Sequence, residues 1–293
     1  MVAGLGIFAR MAGLWSGQAA QTPLGSFPEL AMDFRAADAH WLFGRVDLDA
    51  QNSLRYGFAV EDLPDGPTLV YRNGGYFQGV LRDTTTVLMD CDEDAGVYHF
   101  CAQSNACLYV DGGCIQENGG CPFIDALFTF ESPTQLVFNA HVNGQEHLIW
   151  TATREEKRTL PVPFPQDATP VAASADWPSL PELAATVSWA SPLANPTDVW
   201  VILSDMPCAT GSCTPSRTLL TLAPAGSTTA TLTFQQIHAG SYDANALVDL
   251  AGSFETTLVP SAGDLISVPP DQTIAVPSSG EGTASLAADY TYP

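Results

Sequence analysis

Apolar and polar residues alternate along most of the first half of the chain, with a period of two. From Leu42 to Asp49 apolar or small residues occupy one face and most of the charges the other, and Leu54 to Glu61 repeats this pattern after a four-residue connection. Such alternation is typical of strands with two different faces, and no segment keeps the 3.6-residue period of a helix. The pattern predicts about nine or ten short strands between residues 13 and 154, at the spacing of a barrel or a sandwich.

Glycine and asparagine mark the turns between these predicted strands. Asn143-Gly144 gives the strongest hairpin signal in the chain, because both residues tolerate positive φ. Asn73-Gly74-Gly75 is a second signal of this kind and predicts a turn between strands at 69–72 and 76–82. Many short strands would expose many edges, and closure into a barrel removes them. The sequence therefore favours a closed antiparallel barrel.

The two ends of this region carry a recognisable pair of features. Gly13-Leu14-Trp15-Ser16-Gly17 gives a Gly-x-Trp first strand, and the last alternating segment ends at Arg154. This pattern resembles the lipocalin-like (calycin) barrels, although the Thr-Asp-Tyr turn of the lipocalins proper is absent. The resemblance implies that Trp15 packs beneath Arg154, that the first strand pairs with the last, and that the barrel encloses a small molecule.

Proline separates this region from a second one. Six prolines between residues 161 and 181 predict an extended, semi-rigid segment. We therefore expect a barrel at 1–160, a Pro-rich linker at 161–183 and a small sandwich at 184–293, in an all-β chain. The second region suits an immunoglobulin-like sandwich in size. Its stretch from Phe234 to Gly240-Ser241-Tyr242 resembles the transthyretin-like domains of carboxypeptidase-regulatory type, which implies a structural or adhesive module.

The charge of the chain limits its partners. Ten basic residues stand against 32 acidic ones, for a formal net charge of −22. An acidic field repels phosphate backbones and anionic headgroups, so we expect neither nucleic acid nor an anionic membrane surface as a partner.

Cysteine usage points to an oxidising compartment. Five of the seven cysteines lie between Cys91 and Cys121, where Cys107, Cys114 and Cys121 recur among Gly and Asn. No Cys-x-x-Cys pair is present and no His stands at zinc spacing, so we do not expect zinc. The first residues lack the basic start and cleavage site of a leader. We expect an exported bacterial protein (periplasmic, cell-surface or secreted) whose leader is not part of this sequence.

Charged and aromatic residues on the predicted strands form the first candidate site. If Arg45, Arg55 and Asp47 point inwards, they would line a polar cavity able to hold a carboxylate, sulfate or phosphate group. If they point outwards, they form a charged outer face around an apolar interior. The candidate ligand-binding residues are Trp15, Arg45, Asp47, Arg55, Tyr71, Arg72, Tyr76 and Phe77.

His141 and Glu146 form the second candidate site. A two-residue turn at Asn143-Gly144 would place them opposite each other on one face. A carboxylate that orients a His is the arrangement of a general base, and the same positions also suit an exposed pair beside a turn.

Two acidic stretches have the oxygen ligands that a hard cation such as calcium prefers. Each stretch is equally typical of a turn whose carboxylates are exposed to water. The residues concerned are Asp47, Asp49, Asp90, Asp92 and Asp94.

Three functions follow from these observations. The leading hypothesis is binding of a small, mainly apolar ligand with a polar or anionic head inside the barrel. The first alternative is a hydrolase of ester or phosphoester substrates at the barrel mouth, with His141 as base, Glu146 as its orienting group, and Arg45 or Arg55 stabilising developing negative charge. The second alternative, a surface adhesion or scaffold protein, predicts no cavity.

Overall fold

The chain is an all-β protein, as the sequence predicts. The computed structural model describes residues 2–22, 25–38, 40–47, 52–77, 80–101, 107–110, 113–116, 124–142, 145–154, 170–172, 177–205, 215–257, 259–268 and 273–293. Within these ranges, no helix has the length and apolar character needed to cross a membrane. The chain forms two compact units, Met1–Val46 with Gln51–Pro178, and Asp47–Ala50 with Ser179–Pro293.

The first unit is built from one short helix and a large sheet. After α1 (Gly6–Met11), its strands are β1 (Gly13–Thr22), β2 (Gly25–Ala36), β3 (Leu42–Asp47), β4 (Ser53–Leu63), β5 (Gly66–Phe77), β6 (Val80–Asp92), β7 (Val97–Cys101), β8 (Cys107–Val110), β9 (Gly113–Gln116), β10 (Ile124–Ser132), β11 (Gln135–Val142) and β12 (Gln145–Arg154). All of these strands except β8 and β9 form a closed antiparallel barrel of ten strands. The hairpin of β8 and β9 extends from β6.

The first strand closes the barrel against the last. β1 pairs with β12 in a register that sets Trp15 directly opposite Arg154, and its other edge pairs with β2. Gly13 has a φ of +131°, and a Cβ there would lie 2.8 Å from the Arg154 Nε. A glycine is therefore required where the chain passes this arginine. The pairing predicted from the Gly-x-Trp segment and Arg154 is confirmed.

One predicted turn is wrong. Asn73-Gly74-Gly75 does not end a strand but lies inside β5, where its backbone pairs with β4 on one side and β6 on the other. Pairing on both edges satisfies backbone groups that a turn at this point would leave without strand partners. The predicted hairpin at Asn143-Gly144 is supported by its flanks, since Val142 pairs with Gln145, while the turn residues themselves lie outside the described ranges.

The helix α1 packs against one end of the barrel. Ile7, Phe8 and Met11 are buried, and the Arg10 guanidinium donates a hydrogen bond to the carbonyl of Glu93 over 2.6 Å. Trp15 is completely buried, and its indole Nε1 donates to the carbonyl of Met11 over 2.7 Å. A helix of six residues is too short to show a 3.6-residue period in the sequence, which is why the pattern did not predict it.

A short strand follows the barrel inside the stretch predicted to be a linker. β13 (Val171–Ala172) pairs in parallel with β4 at Glu61 and Asp62. Farther along the same stretch, the ring of Trp177 stacks on that of Trp41 with 5.9 Å between centroids. Part of this Pro-rich stretch is therefore attached to the outside of the barrel, and the division at residues 160 and 184 stays a prediction.

The second unit consists of two sheets around a shared core. Its elements are β14 (Glu182–Ser188), β15 (Thr197–Asp205), β16 (Arg217–Ala223), β17 (Thr229–Phe234), β18 (Gly240–Asp249), α2 (Phe254–Thr257), β19 (Leu265–Ile266), β20 (Thr273–Val276), β21 (Glu281–Ala287) and β22 (Tyr290–Thr291). One sheet has the order β17-β14-β21, and the other has the order β16-β15-β18-β19-β22 with β20 beside β18. Apolar residues from both sheets, including Val187, Val201 and Phe234, form the core between them.

Candidate functional site

The interior of the barrel contains a layer of aromatic rings. Its members come from β4, β5, β7, β10 and β11 and are all buried: Phe58, Tyr71, Phe100, Phe128 and Phe138. The centroids are 4.4 Å apart for Phe128 and Phe138, 5.0 Å for Tyr71 and Phe128, and 5.2 Å for Phe58 and Tyr71. Because side chains alternate between the two faces of a strand, these positions bring one ring from each strand to the inner face. We call this group the aromatic layer.

The inner face changes character on the side of the aromatic layer away from α1. Phe130 marks the side near α1, since the Arg10 guanidinium lies 5.9 Å from its ring centroid. Two residues beyond Phe128 in the opposite direction, the inner face of β10 carries Ala126, which pairs with Ala140 of β11. Both alanines are buried. On β10 and β11 the lining thus passes from a ring to a methyl group within one step along the strand, while Phe100 of β7 lies opposite Ala126.

Several polar side chains are buried on this inner face, among them those of Trp150 and Tyr71. Trp150 of β12 pairs with Phe138 and therefore shares its face, and Trp150 is only 2% exposed. Among the residues that the structure describes, its indole Nε1 has no hydrogen-bond partner, and the hydroxyl of Tyr71, a residue 1% exposed, has none of good geometry. Buried polar groups are normally paired, so these two groups stand out, as does the Tyr98 hydroxyl on the same face towards α1.

Burial also controls the ionisation of the interior tyrosines. Removal from water raises the pKa of Tyr71 well above its ordinary value, and the neighbouring Tyr56 raises it further, while the side chain of Asn73 offsets part of the effect. Burial likewise raises the pKa of Tyr56. Both hydroxyls therefore remain protonated at neutral pH and can act as donors.

The predicted arginines lie on the outer face of the barrel. On β4, Arg55 alternates with the inward Tyr56 and Phe58, and its guanidinium lies 4.4 Å from the ring centroid of Trp177. A Cβ added at Gly57, on the same face as Arg55, would meet Trp177 and Trp41.

Two more predicted arginines share that outer face. Arg72 lies 5.0 Å from the ring centroid of Trp41, and its Nη2 is 2.6 Å from Oε1 of the buried Glu61. Arg45 is buried and alternates with the inward Gly44. The sequence allowed these arginines to point either into the barrel or out of it, and in the structure they point out. On the outer face a carboxylate and the faces of aromatic rings stabilise their positive charges.

The remaining ligand-binding candidates lie elsewhere. Trp15 packs against Phe130 at the α1 end, with 5.9 Å between ring centroids. Asp47 ends β3 but is grouped with the second unit, where its carboxylate accepts a hydrogen bond from Arg217 of that unit. Tyr76 and Phe77 end β5, but their side chains lie outside what the structure describes.

The backbone register supports the predicted pairing of His141 with Glu146. These residues are direct partners between β11 and β12, and Asp125 of β10 is the partner of His141 on its other side. Sequence reasoning did not include Asp125, whose position only the strand pairing reveals. The side chains of all three lie outside the described residues, so a base at His141 stays a prediction.

Carboxylate oxygens of the acidic turn after β6 accept hydrogen bonds from backbone N–H groups of the protein. Asp92 Oδ1 accepts a hydrogen bond from the backbone N–H of Ala95, and Glu93 Oε1 accepts one from that of Gly6. Among the residues placed by the structure, no three His, Cys, Asp or Glu side chains form a metal-binding group. Asp49 lies outside those residues.

The two cysteines whose sulfurs are described differ in state. Cys91 is a free thiol whose pKa is raised, first by burial and then by the carboxylates of Glu93, Asp90 and Asp92. Cys101 is disulfide-bonded.

Two carboxylates of the second unit are neighbours across its larger sheet. Asp198 of β15 is the cross-strand partner of Asp249 of β18, and burial followed by the charge of Asp249 raises the pKa of Asp198. Asp249 accepts hydrogen bonds from the backbone N–H groups of Ser253 and Phe254, where α2 begins. Asp249 therefore helps to hold the start of α2 in place.

Sequence reasoning missed most of the inner face. Phe128, Phe138 and Trp150 stand at alternate positions of the last three barrel strands, so the period of two could have identified them as one face. Comparisons with protein-family models, with curated proteins and with solved structures found no match to this chain.

Proposed function

We propose that the barrel binds a small, mainly apolar ligand in its interior, in the manner of a lipocalin-like (calycin) barrel. The observation that carries this proposal is the lining of the inner face. An aromatic layer is followed on β10 and β11 by the alanines at 126 and 140, and on the same face the Trp150 indole N–H and the Tyr71 hydroxyl have no hydrogen-bond partner of good geometry among the described residues. Binding sites for small molecules are typically apolar and aromatic, with a few polar groups that fix orientation.

The expected affinity follows from the area that such a ligand would bury. A ligand of one or two rings that buries about 150–250 Å² of apolar surface gains about 4–6 kcal/mol, at about 25 cal/mol per Å². Stacking against the ring faces of the aromatic layer adds to this gain, and the loss of translational and rotational freedom opposes it. Where these two further contributions cancel, we expect dissociation constants between about 40 μM and about 1 mM.

A fluorescence titration with N-phenyl-1-naphthylamine, an uncharged probe that emits strongly in apolar surroundings, tests the proposal. The wild type should show saturable binding, and Ala140→Phe should abolish it by filling the space beside the aromatic layer. The matched control is Thr151→Phe, which places the same ring at an exposed position of β12 and should bind the probe as the wild type does.

The stability of Ala140→Phe separates a binding space from a packed core. If the space beside Ala140 accepts a ligand, the added ring occupies it and the melting temperature stays within about 2 °C of the wild type. If protein atoms already fill that space, overpacking should cost about 1–3 kcal/mol. A large loss of stability together with no probe binding by the wild type would refute the proposal.

A further inference from the structure

One side of the second unit is almost free of charge in the sequence. β16 is the last strand of the larger sheet and β17 the last strand of the smaller one, and these consecutive strands are in contact. Residues 218–242, which include all of β17 and every residue of β16 after Arg217, contain no Asp, Glu, Lys or Arg. Charged residues make up 14% of the whole chain, whose net charge is −22. We call β16 and β17 together the uncharged side.

The terminal strand β17 lacks the usual protection of a sheet edge. Native sheets protect their edges with charged residues, proline, bulges or very short strands, because the unpaired N–H and C=O groups of an edge can accept a strand from another chain. Two other terminal strands of this unit follow that rule. β21 begins at Glu281, and β22 is only two residues long and comes directly after Asp289. β17 contains neither charge nor proline, and its register with β14 is regular.

The residues of β17 suit pairing with a further strand. Three threonines and a phenylalanine are among its six residues, and both residue types favour strands. Thr229, Thr231 and Thr233 are exposed on one face, while Leu232 and Phe234 are buried on the other. Within the part of the chain that the structure describes, β17 pairs with β14 alone, so its second edge has no strand beside it there.

We propose that two copies of this chain pair through β17, antiparallel and about a two-fold axis. An axis perpendicular to the sheet at Thr231 sets this residue opposite its own copy, Thr229 opposite Thr233, and Ala230 opposite Leu232. Threonine then meets threonine on the exposed face, and alanine meets leucine on the buried one. The two three-stranded sheets become one continuous sheet. This inference goes beyond the proposed function, because it concerns the second unit and not the interior of the barrel.

The charge of the chain favours a second copy as the partner. Two chains of net charge −22 repel each other wherever their acidic surfaces meet, and the uncharged side is where they approach with the least repulsion. A basic partner would gain no electrostatic attraction from these strands and would bind acidic surfaces instead. Threonine pairs and an alanine–leucine pair need no opposite charge, so this edge is complementary to itself.

The size of the contact makes the pairing reversible. A strand of six residues is about 20 Å long and two packed sheets are about 10 Å apart, so the uncharged side offers about 200–400 Å² on each copy. Leu222 of β16, which is 63% exposed, adds apolar surface to this side. Stable interfaces bury about 800 Å² on each partner, so we expect an equilibrium between monomer and dimer that depends on concentration.

Sedimentation equilibrium of the whole chain between about 5 and about 500 μM measures this equilibrium. The average mass should rise with concentration from the 31.0 kDa of one chain towards twice that value. Thr231→Lys sets two like charges opposite each other at the axis. The dissociation constant should therefore rise at least about fourfold, the value for two unit charges about 5 Å apart in bulk water.

Thr283→Lys is the matched control, because Thr283 is an exposed threonine on β21, at the other edge of the same sheet. This variant should associate as the wild type does. Both substitutions lower the net negative charge by the same amount, so association without a specific interface would respond equally to both.

Cysteine substitutions test the register. Antiparallel partners have Cα atoms about 4.5–5.5 Å apart, a distance that a disulfide spans. In protein whose free thiol is removed by Cys91→Ser, Thr231→Cys should form a cross-linked dimer on oxidation. Thr229→Cys alone should not, because its partner is residue 233 of the other copy. A mixture of Thr229→Cys and Thr233→Cys proteins should cross-link.

The outcomes separate this inference from the proposed function. If the mass stays at that of one chain at the highest concentration, pairing of two copies is overturned, and the edge is left for a strand of a different protein. If Thr283→Lys weakens association as much as Thr231→Lys, or if Thr229→Cys cross-links as readily as Thr231→Cys, the copies do not meet in this register and the proposal is overturned. None of these results depends on whether the barrel binds a probe.

Discussion

Replacement of Tyr71 by Phe should make the barrel more stable, although it removes a polar group and adds nothing. The ring contacts with Phe58 and Phe128 persist, because Phe differs from Tyr only by the hydroxyl. A buried polar group without a partner costs about 1–3 kcal/mol relative to an apolar group of the same shape. The Asn73 side chain near the hydroxyl reduces this cost, so we expect a gain of about 1 kcal/mol. For a unit of this size that is about 2–4 °C in melting temperature.

Urea unfolding followed by near-ultraviolet circular dichroism measures the change, with the transitions of the two units fitted separately. Tyr242→Phe is the control, because the Tyr242 hydroxyl donates to the carbonyl of His238 over 2.8 Å. The same substitution there should lower the free energy of unfolding by about 1 kcal/mol. If Tyr71→Phe destabilises the barrel as much as Tyr242→Phe destabilises the sandwich, the Tyr71 hydroxyl has a partner and the reasoning from unpartnered donors is wrong.

Three other perturbations test separate parts of the structure. Trp15→Phe loses the hydrogen bond to Met11 and leaves space at the α1 end, so the free energy of unfolding in urea should fall by about 2–3 kcal/mol. An unchanged urea midpoint would show that Trp15 does not stabilise this end of the barrel. Asp198→Asn should raise the free energy of unfolding at pH 7. Because the pKa of Asp198 is raised in the folded protein, the protonated carboxyl stabilises the fold. In the wild type this contribution is complete below the ordinary pKa of Asp and is lost as the pH rises through the pKa of Asp198 in the folded protein. Thermal unfolding of the two proteins should therefore converge in acid, and a gap independent of pH would exclude this cause. The hydrolase alternative predicts turnover of chromogenic esters that His141→Ala abolishes, and wild-type protein without turnover would exclude it.

The period of two in the sequence was enough to predict the strands, and the resemblance carried by Trp15 and Arg154, together with the need to remove edges, predicted that they close into a barrel. Both predictions concern the backbone. The alternation of side chains indicates where the strands are, and pairing the first strand with the last removes the two exposed edges of the sheet. The continuation of β5 through Asn73-Gly74-Gly75 was not predictable in this way. Glycine and asparagine favour a turn locally, whereas pairing on both edges of β5 is a tertiary effect that no short segment contains.

The candidate site was harder to predict because the strands at its centre are buried on both faces. On the outer face, Ala59, Val70 and Val87 form a small apolar cluster with Trp41, while Phe58 on the inner face belongs to the aromatic layer. Burial on both sides weakens the contrast that tells which face points inwards. The sequence was therefore compatible with arginines on either the inner or the outer face of the barrel. Only the packing of the aromatic rings shows that they lie on the outer face.

The junction of β1 and β12 also has a consequence for how the chain folds. Its two members come from opposite ends of the domain, so every other barrel strand must be synthesised before the seam can form. Such distant pairing is characteristic of slowly folding β proteins. Until Arg154 leaves the ribosome, the nascent sheet presents two unprotected edges, and this interval is when the protein is most exposed to aggregation.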